Sequence, residues 1–261
     1  MLTFTHSLLL HLAGAMASTK LKEADRIELV LGNIMPDFIT HLGRSKYQAL
    51  AHDLSIFKSH TNIGLLGWGA LFHILCDNYS TLGTITFDGD YGTQPKNGFI
   101  ERVAHQVNLS IPLPVPRRRI LQCALDILVL RAYREQLVPL LETAAEYLHD
   151  HFAEIAAQVG FIYYIDPQQL TPGLDRFCQL YGSNFIEQAA QEEYRLFPLV
   201  RSLLHLSTLT PPAIIRAEID RHPELMLLVT SNMRLIEDHW LDWLQETVTA
   251  AKKYPGLETI W

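Results

Sequence analysis

Histidines and aspartates are concentrated near the start of the 261-residue chain. Half of the twelve histidines lie within the first 73 residues, and the aspartates at positions 37, 53 and 77 lie among them or just after them. These residues are His6, His11, His41, His52, His60, His73, Asp37, Asp53 and Asp77. Neutral imidazole and ionised carboxylate are the usual donors to zinc and similar cations, and several must converge because each alone binds weakly. The region therefore predicts a divalent-metal site.

The sharpest spacing in this region is His73-Ile-Leu-Cys-Asp77, inside a predicted helix over residues 65–79. Residues four apart lie on one helical face, so this pair can hold one metal ion or bridge two. The neighbouring apolar stripe places the pair at the border of the core. A structural, hydrogen-bonded His–Asp pair is the alternative interpretation and stays open at this point.

A second element covers residues 32–37, with the sequence Gly-Asn-Ile-Met-Pro-Asp. Apolar residues over 24–31 predict a helix that ends there, with Gly32 as its C-terminal cap. Pro36 favours an extended or turn conformation before it. Asp37 is therefore expected at a defined point just beyond the helix, and a capping or turn aspartate is the alternative.

Together these elements resemble the zinc-dependent phospholipase C and single-strand nuclease superfamily, including its bacterial membrane-associated metal-dependent hydrolases. The resemblance covers about residues 1–105. It is carried by Thr5-His6-Ser7, the Gly-x-x-x-Pro-Asp element at 32–37, Ser59-His60-Thr61, and His73-x-x-x-Asp77.

The resemblance implies a helical fold that binds two or three zinc-like ions. The implied ligands are His6, His60, His73 and Asp77, with Asp37 as a ligand or general base. His52 competes with His60 for one ligand position, and His11 competes with His6. Zinc is the expected metal, and manganese or iron would also suit a cluster without thiolate.

Three departures separate the chain from that superfamily. The known members use a processed N-terminal amino group, a further His after the Asp of the His-x-x-x-Asp pair, and a His-x-x-x-Glu pair. In this chain the place of the His-x-x-x-Glu pair is taken by Asn97-x-x-x-Glu101, which is followed by His105. Glu101 and His105 are either a replacement pair or part of a solvated helical face, and two ions are expected rather than three.

The leading functional hypothesis is hydrolysis of a phosphate ester by a metal-activated water, with Asp37 orienting or deprotonating that water. The expected substrate is a small phosphate ester or a lipid headgroup. Ala51-His52-Asp53 also resembles the doublet of HD-domain phosphohydrolases, in which His52 and Asp53 would be central ligands. The Gly-Asn-x-x-x-Asp element further resembles acyl-carrier-protein phosphodiesterases. A non-catalytic helical metal-binding or interaction protein remains a third alternative.

The elements that must position these residues are predicted to be helices. Apolar residues over 141–159 recur at steps of three and four, which is typical of one buried helical stripe. Pro139 is expected to divide this stripe from a similar one over 121–132. Residues 84–91 allow at most one small β-hairpin. The Pro-rich segment 111–116 predicts a linker between a metal-binding core (1–110) and a helical extension (117–261) packed on it as one compact unit.

Composition limits the classes of function. A hydrophobic content of 48% supports a large buried interior. No apolar run approaches the roughly 20 residues that span a bilayer, so a soluble chain without a transmembrane segment is expected. The net charge of −7 makes nucleic acid an unexpected partner. Three cysteines, an odd number without metal-type spacing, favour the reducing cytoplasm. The oligomeric state stays open.

Overall fold

The computed structural model describes residues 3–14, 21–40, 47, 50–58, 62–85, 95–109, 116–181, 196–204 and 212–257. These ranges contain helices and no strand, and the all-α prediction is confirmed. The helices are α1 (Thr3–Leu12), α2 (Glu23–Thr40), α3 (Gly64–Leu82), α4 (Phe99–Ala104), α5 (Arg117–Asp150), α6 (Phe152–Tyr163), α7 (Pro167–Tyr181), α8 (Phe197–Leu204), α9 (Pro212–Arg221), α10 (Glu224–Met233) and α11 (Trp240–Ala251). Ser55–Lys58 forms a single helical turn.

Helices α2 and α3 form the most extensive helix pair, and glycines line their contact. A Cβ atom added at Gly32 would lie 1.9 Å from the carbonyl oxygen of Leu66. One added at Gly69 would lie 2.2 Å from the carbonyl oxygen of Leu29. Only glycine permits so close an approach of two backbones. The contact brings the N-terminal half of α3 directly against α2.

The expected end of α2 at Gly32 is wrong, because the helix continues through Gly32 and Pro36 to Thr40. Gly32 makes close packing with α3 feasible and does not cap the helix. Pro36 lacks an N–H group and costs the helix one hydrogen bond, but packing against α1, α3, α5 and α7 keeps the segment helical. Asp37 therefore lies within α2, and Asn33 lies on the same face, four residues earlier.

Helix α1 is a core helix with polar contacts at both ends. Residues 4–10 are all buried, including three consecutive polar residues at 5–7. At its N-terminal end, Oδ1 of Asp126 in α5 accepts hydrogen bonds from the backbone N–H and the hydroxyl of Thr5, at 2.9 and 3.0 Å. Just past its C-terminal end, Nζ of Lys252 donates to the carbonyl of Ala13 at 3.0 Å. The acidic and basic groups complement the helix dipole and fix the helix that carries His6.

Helix α5 corrects the expectation that Pro139 divides two helices. The non-helical residue is Tyr133, with φ −130° and ψ 18°, and Pro139 lies inside the helical segment that follows it. Pro139 removes the donor that the carbonyl of Glu135 would use. Both residues are exposed, so water can hydrate that carbonyl and the helix continues.

Buried apolar side chains from the whole length of the chain, from residue 4 to residue 257, form one cluster. The division into a core and an extension near residues 110–117 stays a prediction, since residues 111–115 of the expected linker lie outside the described residues. The same holds for the expected hairpin beyond Ile85, and Thr84 and Ile85 themselves lie in a bend. None of the described helices combines the length and apolar character needed to cross a membrane.

Candidate metal centre

The structure brings five of the predicted site residues together from four segments. His6 comes from α1, Asp37 from α2, and His73 and Asp77 from α3, while His52 lies in the turn before Ser55–Lys58. They form two groups, His52–His73–Asp77 and His6–Asp37–His73. Within each group the donor atoms lie within 4.8 Å of one another, which is close enough to share a metal ion.

The donor atoms of the first group form a nearly equilateral triangle. Nε2 of His52 lies 3.3 Å from Nε2 of His73 and 3.2 Å from Oδ2 of Asp77, and the third side is 3.5 Å. Donors of a tetrahedral zinc site with bonds of about 2.0–2.1 Å lie about 3.3–3.4 Å from one another. The triangle therefore fits three ligands of such an ion and leaves a fourth position for water or substrate.

The tautomer of His73 is fixed by the backbone of α2. Its Nδ1 lies 2.5 Å from the carbonyl oxygen of Asn33, and a carbonyl only accepts hydrogen bonds. Nδ1 must therefore carry the proton, and Nε2 presents its lone pair to the triangle. The side chain of Asn33 also donates from Nδ2 to the carbonyl of His6 at 2.7 Å. The sequence contained one signal for this residue, its place in the Gly-Asn-x-x-x-Asp element, but no spacing rule predicted these contacts.

His6 is buried with its ring stacked on that of His73. The ring centroids are 3.6 Å apart and the planes differ by 11°. Neither ring nitrogen makes a well-formed hydrogen bond to a described protein atom, although Nε2 lies 3.4 Å from Oδ1 of Asp77. Burying an imidazole without hydrogen bonds is unfavourable unless another partner accepts its lone pair. Asp77 thus turns Oδ1 toward His6 and Oδ2 toward the other two histidines.

Burial and neighbouring charges set the protonation states that a cation needs. Burial, and after it the nearby His73, lower the pKa of His6 to about 3, so its imidazole is neutral. Burial opposes charge on Asp37, but His73 and His6 outweigh it and lower its pKa. Burial likewise opposes charge on Asp77, yet neighbouring positive charge and the adjacent imidazoles of His6 and His52 hold its pKa well below the usual value. Burial raises the pKa of the Cys76 thiol well above its usual value, and a protonated thiol is not a metal ligand.

The centre is accessible from one side. The side chains of His6 and His73 are 0% exposed, whereas those of Asp77 and His52 are 15% and 26% exposed. The donor atoms are therefore open to solvent on the side of His52 and Asp77. The deeper residues are shielded from water.

Three other predicted candidates lie elsewhere. His11 is exposed, and its ring centroid is 6.2 Å from that of Tyr133. Glu101 forms an ion pair with Arg118 at 3.2 Å, and His105 is exposed. None of the three belongs to either group of donors among the described residues. For Glu101 and His105 this geometry favours a solvated helical face over a pair that replaces the metal-binding His-x-x-x-Glu pair.

The neighbours of His52 bear on the HD-type alternative. Oδ1 of Asp53 accepts a hydrogen bond from the backbone N–H of Ser55 at 2.8 Å, which caps the following turn. Asp53 belongs to neither group of donors in the described part of the chain. His60, the other candidate for the position of His52, lies outside the described residues.

Comparisons of the chain with models of protein families, with curated proteins and with solved structures found no match. The resemblance to the phospholipase C and nuclease superfamily therefore stays a prediction from the motifs. What the structure adds is a buried group of His and Asp side chains that could hold a metal ion.

Proposed function

We propose that the chain is a metal-dependent phosphoric ester hydrolase. The observation that carries the proposal is the triangle of His52, His73 and Asp77 donor atoms, with sides of 3.2, 3.3 and 3.5 Å. His6 and Asp37, which share the second group of donors with His73, are the candidate ligands of a second ion. Zinc is the first choice for this donor set, with manganese or iron as alternatives. When bound, such an ion lowers the pKa of water and neutralises charge on phosphoryl oxygens.

The residues of the chain have separate tasks in this hydrolysis. Asp37 is ionised, so it can accept a hydrogen bond from the attacking water and then its proton. His73 keeps its proton on Nδ1 through Asn33 and so cannot turn its donor away from the centre. Burial of His6 and His73 excludes bulk water from the inner side of the site. The substrate class that suits the opening beside His52 is a small phosphate ester or a lipid headgroup, because the acidic chain disfavours an extended polyanion.

An HD-type site is the competing hydrolase scheme, and Asp53 distinguishes the two. That scheme makes Asp53 a metal ligand, whereas here its carboxylate caps a turn. Asp53→Asn is a conservative test, because an asparagine oxygen can still accept the hydrogen bond of Ser55.

The test measures bound metal by elemental analysis and hydrolysis of nitrophenyl phosphate and bis-nitrophenyl phosphate by the metal-loaded protein. We expect Asp53→Asn to keep its metal and its activity, and Asp37→Asn to lose most of its activity. Turnover should be faster near or above neutral pH, since acid protonates the nucleophile. The opposite ranking of the two variants would favour the HD scheme. Equal rates in wild type, Asp37→Asn and Asp77→Ala would mean contaminating activity, and stoichiometric metal without turnover of either ester would favour the non-catalytic alternative.

A further inference from the structure

We propose that Asn33 and Asp126 are positioning residues that hold His6 in the metal centre, an inference that rests on the proposed metal site. The two residues come from different helices, α2 and α5, and both are fully buried. They contact consecutive residues of α1. Asn33 donates to the carbonyl of His6 at 2.7 Å, and Asp126 accepts from the backbone N–H and hydroxyl of Thr5 at 2.9 and 3.0 Å.

His6 gains from such support because most of the side chains that α1 buries are apolar. Residues 4–10 are buried on every side of the helix, so burial alone does not select one rotation about its axis. Hydrogen bonds depend on distance and angle and therefore fix the rotation. Contacts from two directions at neighbouring residues hold the backbone of His6. Its ring, which has no well-formed hydrogen bond of its own to a described atom, is thereby aimed at Asp77.

Asn33 links the two stacked imidazoles. Its side-chain amide donates a hydrogen bond to the carbonyl of His6, while its backbone carbonyl accepts a hydrogen bond from Nδ1–H of His73. The relative position of the two rings, 3.6 Å apart, is thus set by one residue of α2. A substitution of Asn33 removes the side-chain contact and leaves the carbonyl in place. It therefore tests the support of His6 separately from that of His73.

The experiment measures zinc affinity of the full chain by competition with a chromophoric chelator. We expect Asn33→Ala and Asp126→Leu each to weaken zinc binding about 10–100-fold, the usual effect of losing a residue that orients a ligand. Asp126→Asn keeps an oxygen acceptor for Thr5 and should restore near-normal affinity. In a His6→Ala background, Asn33→Ala should cause no further loss, because the ligand that it positions is already absent.

Asn232→Ala is the matched control, since Asn232 is also a buried asparagine whose side-chain amide hydrogen-bonds to the backbone. Its Oδ1 accepts from the backbone N–H of Asn108, and its Nδ2 donates to the carbonyl of Asn108. This substitution should lower the melting temperature and leave zinc affinity unchanged. The inference is overturned if Asn33→Ala behaves like this control, if its effect adds to that of His6→Ala, or if His6→Ala itself leaves zinc affinity unchanged. In these three cases the His52–His73–Asp77 site survives, whereas a wild-type protein that binds no zinc overturns both proposals. If Asp126→Leu fails to fold, as judged by circular dichroism, the Asn33 and His6 variants decide the matter.

Discussion

Replacing Gly32 by alanine probes whether the close approach of α2 and α3 builds the metal centre. The new Cβ atom would lie 1.9 Å from the carbonyl oxygen of Leu66, which belongs to the backbone and cannot rotate away. Restoring even a tight contact of 3.0 Å requires the helices to separate by about 1.1 Å at this point. The Nδ1–oxygen distance between His73 and Asn33, now 2.5 Å, would increase toward roughly 3.5 Å, the limit of a hydrogen bond.

The free energy of unfolding should fall by about 1–3 kcal/mol. Overpacking a core contact typically costs about 1–3 kcal/mol or more, and the higher helix propensity of alanine offsets at most about 1 kcal/mol. For a chain of this size each kcal/mol lowers the melting temperature by about 2–4 °C. Zinc affinity should fall about tenfold as well, because the carbonyl that orients His73 moves away.

Thermal unfolding followed by circular dichroism and chelator competition measure the two effects. Gly160→Ala is the matched control, because a Cβ atom there would lie 2.6 Å from the carbonyl oxygen of Ile165, outside both groups of donors. It should lower stability without changing zinc affinity. An unchanged melting temperature for Gly32→Ala would refute the packing argument. Equal zinc affinities for the two alanine variants would refute the coupling between helix separation and the metal centre.

Three further predictions concern the ligands, the bound metal and one carboxylate outside the centre. His73→Ala or Asp77→Ala should abolish the bound metal that elemental analysis detects, because each residue supplies a donor to the triangle. Full metal stoichiometry in either variant would show that the pair is wrongly assigned. Removing metal from the wild type with a chelator should lower the melting temperature reversibly, since the donors come from four segments that the ion ties together. A melting curve that is identical with and without metal would contradict this prediction. Glu28→Gln should raise the melting temperature at neutral pH. Burial, with Asp25 nearby, raises the pKa of Glu28, so the charged carboxylate opposes folding. The glutamine oxygen can still accept the hydrogen bond from the hydroxyl of Tyr147. The folded-state pKa is the higher one, so the gain should shrink as the pH falls and vanish below about 4, and a gain that persists in acid would refute the assignment.

The fold class and the central helix could be predicted because their signals are local. The apolar spacing over residues 65–79 specified a helix that extends from Gly64 to Leu82. The errors at Gly32 and Pro36 arose where local signals for a helix end are overridden by tertiary packing. Gly32 is needed because a carbonyl of α3 occupies the space of its missing Cβ, and no neighbour in the sequence of α2 reveals that.

In the candidate site, too, local signals predicted some residues, and others depend on contacts between distant parts of the sequence. Residue type and the i,i+4 spacing predicted His73 and Asp77, and the density of histidines included His6 and His52 among the candidates. The supporting residues Asn33 and Asp126 could not be predicted, because hydrogen bonds across 27 and 121 residues leave no periodic mark. Asp126 in particular is the one charged residue between Ile120 and Leu130 of α5, and only the fold reveals that it contacts Thr5.

The tethering of α1 at both ends has a consequence for the order in which the protein assembles during translation. The bond between His73 and Asn33 spans 40 residues, so the α2–α3 pair can form early. Asp126 emerges from the ribosome much later than Thr5, and Lys252 follows Ala13 by 239 residues, or about 10–50 s at 5–20 residues per second. Until α5 and α11 have been synthesised, the apolar side chains of α1 lack the contacts that these two helices supply. His6 is therefore fixed later than the side chains of the α2–α3 pair, although it precedes them in the sequence.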